Sequence, residues 1–129
     1  MNITALRRDY KKSKAWGLLA SIDLSACDHN LIQSPKAIKE FVKQLVSLLE
    51  MQAHGPTRVE KFADGSLEGY SAFQFIETSS IIIHFDDKSG DRAFIDIFSC
   101  CFFDPLASEK FAKKYFKATK SKLNILLRS

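Results

Sequence analysis

The chain has 129 residues, a length that predicts one domain with a single hydrophobic core. Because 46% of the residues are hydrophobic and eleven are phenylalanine, the composition excludes an intrinsically disordered chain. The net charge is +4, and the basic residues gather near the two ends. That distribution is more typical of a solvated tail and a helix surface than of a nucleic-acid-binding site.

The sequence also bears on location and on metal binding. No apolar run approaches the roughly 20 residues of a membrane span, and the N-terminus lacks the apolar core and cleavage site of a secretory signal. Three cysteines, two of them adjacent, make a poor disulfide framework and lack zinc spacing. We therefore expect a cytoplasmic protein that holds no metal and binds neither a membrane nor a nucleic acid.

The N-terminal half predicts a tail, a strand and a helix. Residues 1–14 are polar and basic, and predict a tail or a loosely docked segment. The apolar run at 16–24 predicts a buried strand. Ser34 and Pro35 are typical of a helix N-cap and first helical position, and apolar residues then recur at helical spacing. We expect Gly55 to close this segment.

The C-terminal half predicts mainly strands. Segments rich in phenylalanine and isoleucine predict strands at 70–76, 80–85 and 93–101, with shorter ones at 58–62 and 124–127. Pro105 is expected to break the chain, and the apolar spacing near Phe111 predicts a second helix. The order β-α-β-β-β-β-α-β predicts a single α+β domain over residues 1–129, a two-layer sandwich of an antiparallel sheet with two helices on one face.

The turn signal at 86–91 predicts a hairpin that brings distant residues together. If the turn centres on Lys88 and Ser89, Ser79 lies across from Phe98 or Ser99, next to Cys100. His84 follows Ser79 by five residues, which in a regular strand puts the two on opposite faces. A shared site therefore requires a bend or bulge at Ser79.

Three segments carry a resemblance to a known family. They read Gly69-Tyr70-Ser71, then Thr78-Ser79-Ser80-Ile81-Ile82-Ile83-His84, then Asp96-Ile97-Phe98-Ser99-Cys100. In order and spacing they resemble the prokaryotic S-adenosylmethionine decarboxylases, which make a pyruvoyl cofactor from their own serine. The run at 22–28 also resembles the first strand of that family.

The resemblance implies a self-cleaving zymogen. Ser79 Oγ would attack the carbonyl of Thr78, leaving a light chain 1–78 and a heavy chain 79–129 that begins with the pyruvoyl group. By the same resemblance His84 abstracts a proton during the elimination, and Ser71 assists the processing. The processed protomers are expected to form a homodimer.

The resemblance also implies how the mature enzyme works. The keto group derived from Ser79 would form a Schiff base with the amine of a small-molecule substrate and withdraw electrons as the carboxylate leaves. Cys100 would return a proton to the product, and Phe62 matches an aromatic residue that stacks on adenine. The implied activity is decarboxylation of S-adenosylmethionine in polyamine and spermidine biosynthesis.

Departures from the family pattern leave alternatives open. Thr78 and Ser80 replace a glutamate and a histidine around the cleaved serine. Asp86 and Asp87 stand where the family has a substrate segment, so they either hold the cation of ornithine or arginine or build a hydrophilic turn. Two further hypotheses are a processing-dead homologue that regulates an active subunit and a basic nucleic-acid-binding module. A thiol hydrolase built on Cys100 lacks a recognisable oxyanion feature.

Overall fold

The computed structural model describes residues 2–129 as one six-stranded antiparallel sheet with three α-helices. The spatial order of the strands is β2-β3-β4-β5-β1-β6. In chain order the elements are α1 (Ile3–Lys12), β1 (Gly17–Ser25), α2 (Pro35–Leu48), β2 (Ala53–Phe62), β3 (Gly69–Ile76), β4 (Ser79–Asp86), β5 (Arg92–Ser99), α3 (Pro105–Tyr115) and β6 (Lys120–Arg128).

The core lies between one face of the sheet and the helices α2 and α3. Alternate residues of β1, β4 and β5 are buried there because strand side chains alternate between the two faces. Phe41 of α2 packs on Phe116, which follows α3, with ring centroids 4.6 Å apart. Both rings are fully buried. The predicted α+β architecture is confirmed.

The helix α2 begins as predicted and ends earlier. The Ser34 side chain accepts a hydrogen bond from the Ala37 amide, and Pro35 is the first helical residue. The helix stops at Leu48, where its apolar stripe gives way to Glu50, whose φ is +56°. Gly55 instead lies within β2, at an irregularity in its pairing with β3, so its predicted role was wrong.

Two further predictions concern the starts of helices. The segment 1–14, predicted as a tail or a loosely docked segment, contains α1, which Asn2 caps and whose Leu6 is buried. A basic composition hid this helix, because only one side of it contacts the domain. Pro105 does not break the chain but begins α3, with the Asp104 side chain accepting hydrogen bonds from the first amides.

The face of the sheet that points away from α2 and α3 is here called the open face. It carries large apolar side chains that are half exposed or more, namely Trp16 (63%), Phe62 (56%), Phe75 (55%) and Leu126 (54%). Trp16 stacks on Phe98, a β5 residue of the same face. Several large apolar side chains exposed on one face are typical of an interaction site. Across residues 2–129, the structure has no helix long and apolar enough to span a membrane.

Candidate active site

Ser79 lies at the start of β4, on the buried side of the sheet. It pairs with Ser99 of β5, as the predicted hairpin required, and its hydroxyl donates a 2.8 Å hydrogen bond to Ser99 Oγ. Ser99 is fully buried; its Oγ also accepts from the Cys101 amide at 2.9 Å and lies 3.8 Å from Met51 Sδ. We refer to Ser79, Ser99, Met51 and the turn at 100–101 as the Ser79 cluster.

The peptide bond before Ser79 belongs to a strained turn. Ile76 pairs with Ser79, so Glu77 and Thr78 form a two-residue connection between β3 and β4. Thr78 has a φ of +60°, a conformation that a β-branched residue rarely adopts and that costs roughly 1–3 kcal/mol. Cleavage between Thr78 and Ser79 would release that strain.

Cys100 belongs to this cluster and lies in the turn that follows β5. It is half buried, and its carbonyl accepts a 3.2 Å hydrogen bond from the Tyr10 hydroxyl of α1. Cys101 is exposed, and the neighbouring Cys100 raises the pKa of its thiol. Since Ser79 pairs with Ser99, the backbone of Cys100 lies one residue beyond the partner of Ser79, as the hairpin register predicted.

Ser71 and His84 form a second cluster, on the open face. They are cross-strand partners of β3 and β4, and Ser71 Oγ and His84 Nδ1 share a hydrogen bond of 2.8 Å. Glu60 of β2 is the neighbour of Ser71 on its other side. An open cavity of about 280 Å³ adjoins these three residues, and its lining includes Phe62 and Phe73. We refer to Ser71, His84, Glu60 and this cavity as the His84 cluster.

The two clusters do not meet within one protomer. Residues 79–84 pair without interruption with β3, and residues 79–86 do so with β5, so the bend or bulge that a shared site required at Ser79 is not formed. Ser79 is buried and His84 is exposed, because they lie on opposite faces of a regular strand. Five residues of strand also separate their backbones by about 17 Å.

The two aspartates of the hairpin turn already have partners. Asp86 accepts hydrogen bonds from the amides of Lys88 and Ser89 and from Arg92 Nε at 2.8 Å. Burial opposes ionisation of Asp86, but these hydrogen bonds prevail and lower its pKa. Asp87 pairs with Lys88 Nζ at 3.0 Å. These contacts are typical of a hydrophilic turn rather than of a site prepared for a cationic substrate.

The remaining titratable groups of interest stabilise loops. His29 Nδ1 lies 2.6 Å from Asp91 Oδ1, and that hydrogen bond raises the pKa of His29. Burial raises the pKa of the Cys27 thiol to about 11, so it stays protonated near neutral pH. Among residues 2–129, no group of three or more histidine, cysteine, aspartate or glutamate side chains is placed to hold a metal ion.

The sequence pattern gives no role to two residues of the site. In the sequence, Ser99 is only one member of the segment 96–100 that carries the family resemblance, although the hairpin register predicts its position opposite Ser79. Glu60 lies next to Ser71 through the pairing of β2 with β3. Since β2 extends from residue 53, five residues before the predicted strand, its register does not follow from the sequence pattern.

Comparison with known proteins identifies a family and a similar fold. The family model described as S-adenosylmethionine decarboxylase matches residues 19–129, which include both clusters. A crystal structure of the adenosylmethionine decarboxylase from Aquifex aeolicus VF5 superposes with a TM-score of 0.74 at 16% sequence identity, covering 89% of this chain and 92% of that one. This structural likeness concerns the fold. No curated protein sequence matches the chain.

Proposed function

Because this chain belongs to the S-adenosylmethionine decarboxylase family, we propose that it cleaves itself between Thr78 and Ser79 and becomes a pyruvoyl-dependent decarboxylase acting on S-adenosylmethionine. The family itself supports a decarboxylase of polyamine biosynthesis. The observation that carries the proposal is the position of Ser79, which follows a strained turn and lies beside Cys100. A hydroxyl, a strained peptide bond and a nearby thiol are the groups that this chemistry needs.

The surroundings of Ser79 fit a pyruvoyl group formed from that residue. The site is small and buried, and the Ser99 hydroxyl would become a hydrogen-bond donor to a keto group of similar size by turning its hydrogen away from Met51 Sδ. When present, the pyruvoyl group supplies an electron sink for loss of a carboxylate. Cys100, one residue beyond Ser99, is the nearby residue that we expect to hold the proton returned to the product.

The self-cleavage begins as an exchange of a peptide bond for an ester. Ser79 Oγ bonds to the carbonyl carbon of Thr78, the bond from that carbon to the Ser79 nitrogen breaks, and the hydroxyl proton passes to the nitrogen. Elimination then removes the Cα proton of residue 79 and expels the Thr78 carboxylate, leaving dehydroalanine. Water hydrolyses the imine form of this residue to the keto group, and its nitrogen leaves as ammonia. His84 is the proposed base for the Cα proton, with Ser71 orienting its imidazole.

We also propose that the open face is the interface of a homodimer. The exposed side chains of Trp16, Phe62, Phe75 and Leu126 lie on it, and a second copy would remove them from water. His84 lies on the same face. Because His84 and Ser79 face opposite ways in one protomer, they can meet only if the start of β4 turns toward the open face once the ester has formed. The base there is then His84 of the same protomer or of the second copy.

Mixing two inactive variants distinguishes these routes. Ser79→Ala and His84→Ala protomers, refolded together, would yield one cleaved chain if the second copy supplies the base. Cleavage that stays absent in the mixture while each variant dimerises would instead assign both residues to one protomer. A monomer by analytical ultracentrifugation would contradict the dimer.

The cavity of the His84 cluster supports S-adenosylmethionine over the alternative substrates. Phe62 and Phe73 offer aromatic surface for a flat base and for a positive sulfonium. Glu60 lines the same cavity, but its carboxylate pairs with Arg58 at 3.2 Å, so the aromatic rings carry this argument. Ornithine or arginine would need a free acidic group for a distal cation. Asp86 and Asp87, the residues predicted for that purpose, are engaged by Arg92 and Lys88.

The intact mass of freshly purified protein, under denaturing conditions, tests the proposal. We expect two fragments divided between Thr78 and Ser79, with the second one blocked by pyruvoyl. Release of labelled carbon dioxide from S-adenosylmethionine, compared with ornithine and arginine, then identifies the substrate. A single unmodified chain that releases none would overturn the proposal and favour a regulatory homologue.

A further inference from the structure

We propose that Ser99 is a positioning residue for self-cleavage, because it holds the Ser79 hydroxyl with its lone pairs free for attack. This inference rests on the proposed cleavage at Ser79 and assigns a role to a residue that the family pattern leaves without one. The contact that carries it is the 2.8 Å hydrogen bond between Ser79 Oγ and Ser99 Oγ, both within the buried Ser79 cluster.

The other contacts of Ser99 determine the direction of that bond. Its Oγ accepts a hydrogen bond from the Cys101 amide at 2.9 Å. Its own hydrogen is directed to Met51 Sδ at 3.8 Å, and a thioether sulfur can only accept. Ser99 therefore has an acceptor position, and no second hydrogen, for Ser79. The Ser79 hydroxyl must donate.

That direction suits a nucleophile. The Ser79 hydroxyl donates its hydrogen to Ser99, and neither of its own lone pairs takes part in that hydrogen bond. The bond also restricts the Ser79 side chain to one rotamer, so fewer orientations compete with the reactive one. Because attack uses a lone pair of Oγ, the arrangement favours the first step of cleavage.

The position of Ser99 makes it a rigid support. It lies at the end of β5, which pairs with β4 on one side and with β1 on the other. The amide that donates a hydrogen bond to Ser99 belongs to Cys101, in the turn that also contains Cys100. The Ser99 hydroxyl therefore contacts both Ser79 and that turn. A buried hydroxyl whose contacts are all used is costly to replace by an apolar group.

An isosteric pair of variants tests the role of the hydroxyl. Ser99→Thr and Ser99→Val have nearly the same shape, but only threonine keeps the oxygen. We expect the threonine variant to form the ester at a rate within about threefold of the natural protein, and the valine variant to be at least about fivefold slower. Ser99→Ala should be slow as well.

Hydroxylamine gives a readout of the ester that does not depend on decarboxylase activity. It attacks the ester carbonyl, leaving a hydroxamate on Thr78 of fragment 1–78 and a free N-terminal Ser79 on fragment 79–129. The rate of this split, followed by intact mass, reports the step that Ser99 is proposed to support. Ser108→Ala is the matched control, because Ser108 is also fully buried and its hydroxyl donates to the Asp104 carbonyl at the start of α3, away from Ser79.

The outcomes separate this inference from the proposed function. Equal ester formation by the valine and threonine variants, with both folded by circular dichroism, would overturn the role of Ser99. A hydroxamate without any pyruvoyl in the natural protein would refute the proposed cofactor. The effect of Ser99 on the rate of ester formation could still be measured. Neither product in the natural protein would refute both.

Discussion

The Ser79 cluster and the His84 cluster are built on neighbouring strands and differ in almost every physical respect. Ser79 and Ser99 are buried, and each hydroxyl has a defined partner. His84 is exposed on the open face, where one ring nitrogen bonds to Ser71. The buried cluster suits a step within the chain, whereas the exposed one suits a substrate or a second copy. The two clusters lie on different faces because successive side chains of a strand point to opposite sides of the sheet.

The largest expected effect is loss of the Ser79 hydroxyl. Ser79→Ala removes the only atom that can form the ester, so the protein should remain one chain and release no carbon dioxide. Ser80→Ala is the control, because Ser80 is next in sequence and lies on the opposite face. Intact mass measures cleavage in both variants. Cleavage before residue 79 in Ser79→Ala would contradict the assignment of Ser79 as the nucleophile.

Removing the His84 imidazole should have the next largest effect. Without a base, elimination should slow by about 10²–10⁴-fold, while formation of the ester continues. His84→Ala should therefore yield hydroxylamine-sensitive protein with little pyruvoyl. Both products are quantified by mass against time.

The Ser71 hydroxyl provides a graded comparison within the same cluster. Ser71→Ala keeps the imidazole and removes its 2.8 Å partner, so elimination should slow by only about tenfold. If the elimination rate of Ser71→Ala fell as far as that of His84→Ala, Ser71 would need a chemical role of its own.

Loss of the Cys100 thiol should slow decarboxylation without slowing self-cleavage. Cys100→Ala removes the proposed proton donor, so decarboxylation should fall by about 10²-fold while self-cleavage proceeds normally. The adjacent Cys101→Ala variant should behave as the natural protein in both assays, since Cys101 is exposed. Slower cleavage in Cys100→Ala would instead connect the thiol to the first reaction.

The smallest expected effect concerns stability and lies away from both clusters. The hydrogen bond and charge of Asp91 raise the pKa of His29 above its ordinary value of 6.5, so the folded chain binds that proton more tightly than the unfolded chain. The stabilisation is complete below pH 6.5 and disappears as the pH rises through the folded-state pKa.

Thermal unfolding measures that contribution. The Tm of the natural protein should exceed that of His29→Gln by a few degrees at most at about pH 5, and the difference should shrink at about pH 9. Equal differences at both values would show that His29 acts by packing. His54→Gln, an exposed histidine in β2, is the comparison.

Local patterns predicted most of the elements of this fold. The cap at Ser34, the spacing of apolar residues in α2 and the acidic turn at 86–91 each act within a few residues. The hairpin register follows from the position of the turn, which is enough to place Ser79 opposite Ser99. In contrast, the role of Gly55 depended on the pairing of β2 with β3, which the pattern does not contain.

The sequence by itself determined the α+β architecture, the family resemblance and the proximity of Ser79 to Cys100, because helix and strand periods and a short hairpin are local properties. Only the tertiary structure decided that β1 lies between β5 and β6, that α1 packs beside the Cys100 turn, and that Ser79 and His84 face opposite ways. Those outcomes depend on contacts between residues far apart in the chain. Whether a strand bends at one serine depends on both of its neighbours, and here each of them keeps β4 regular.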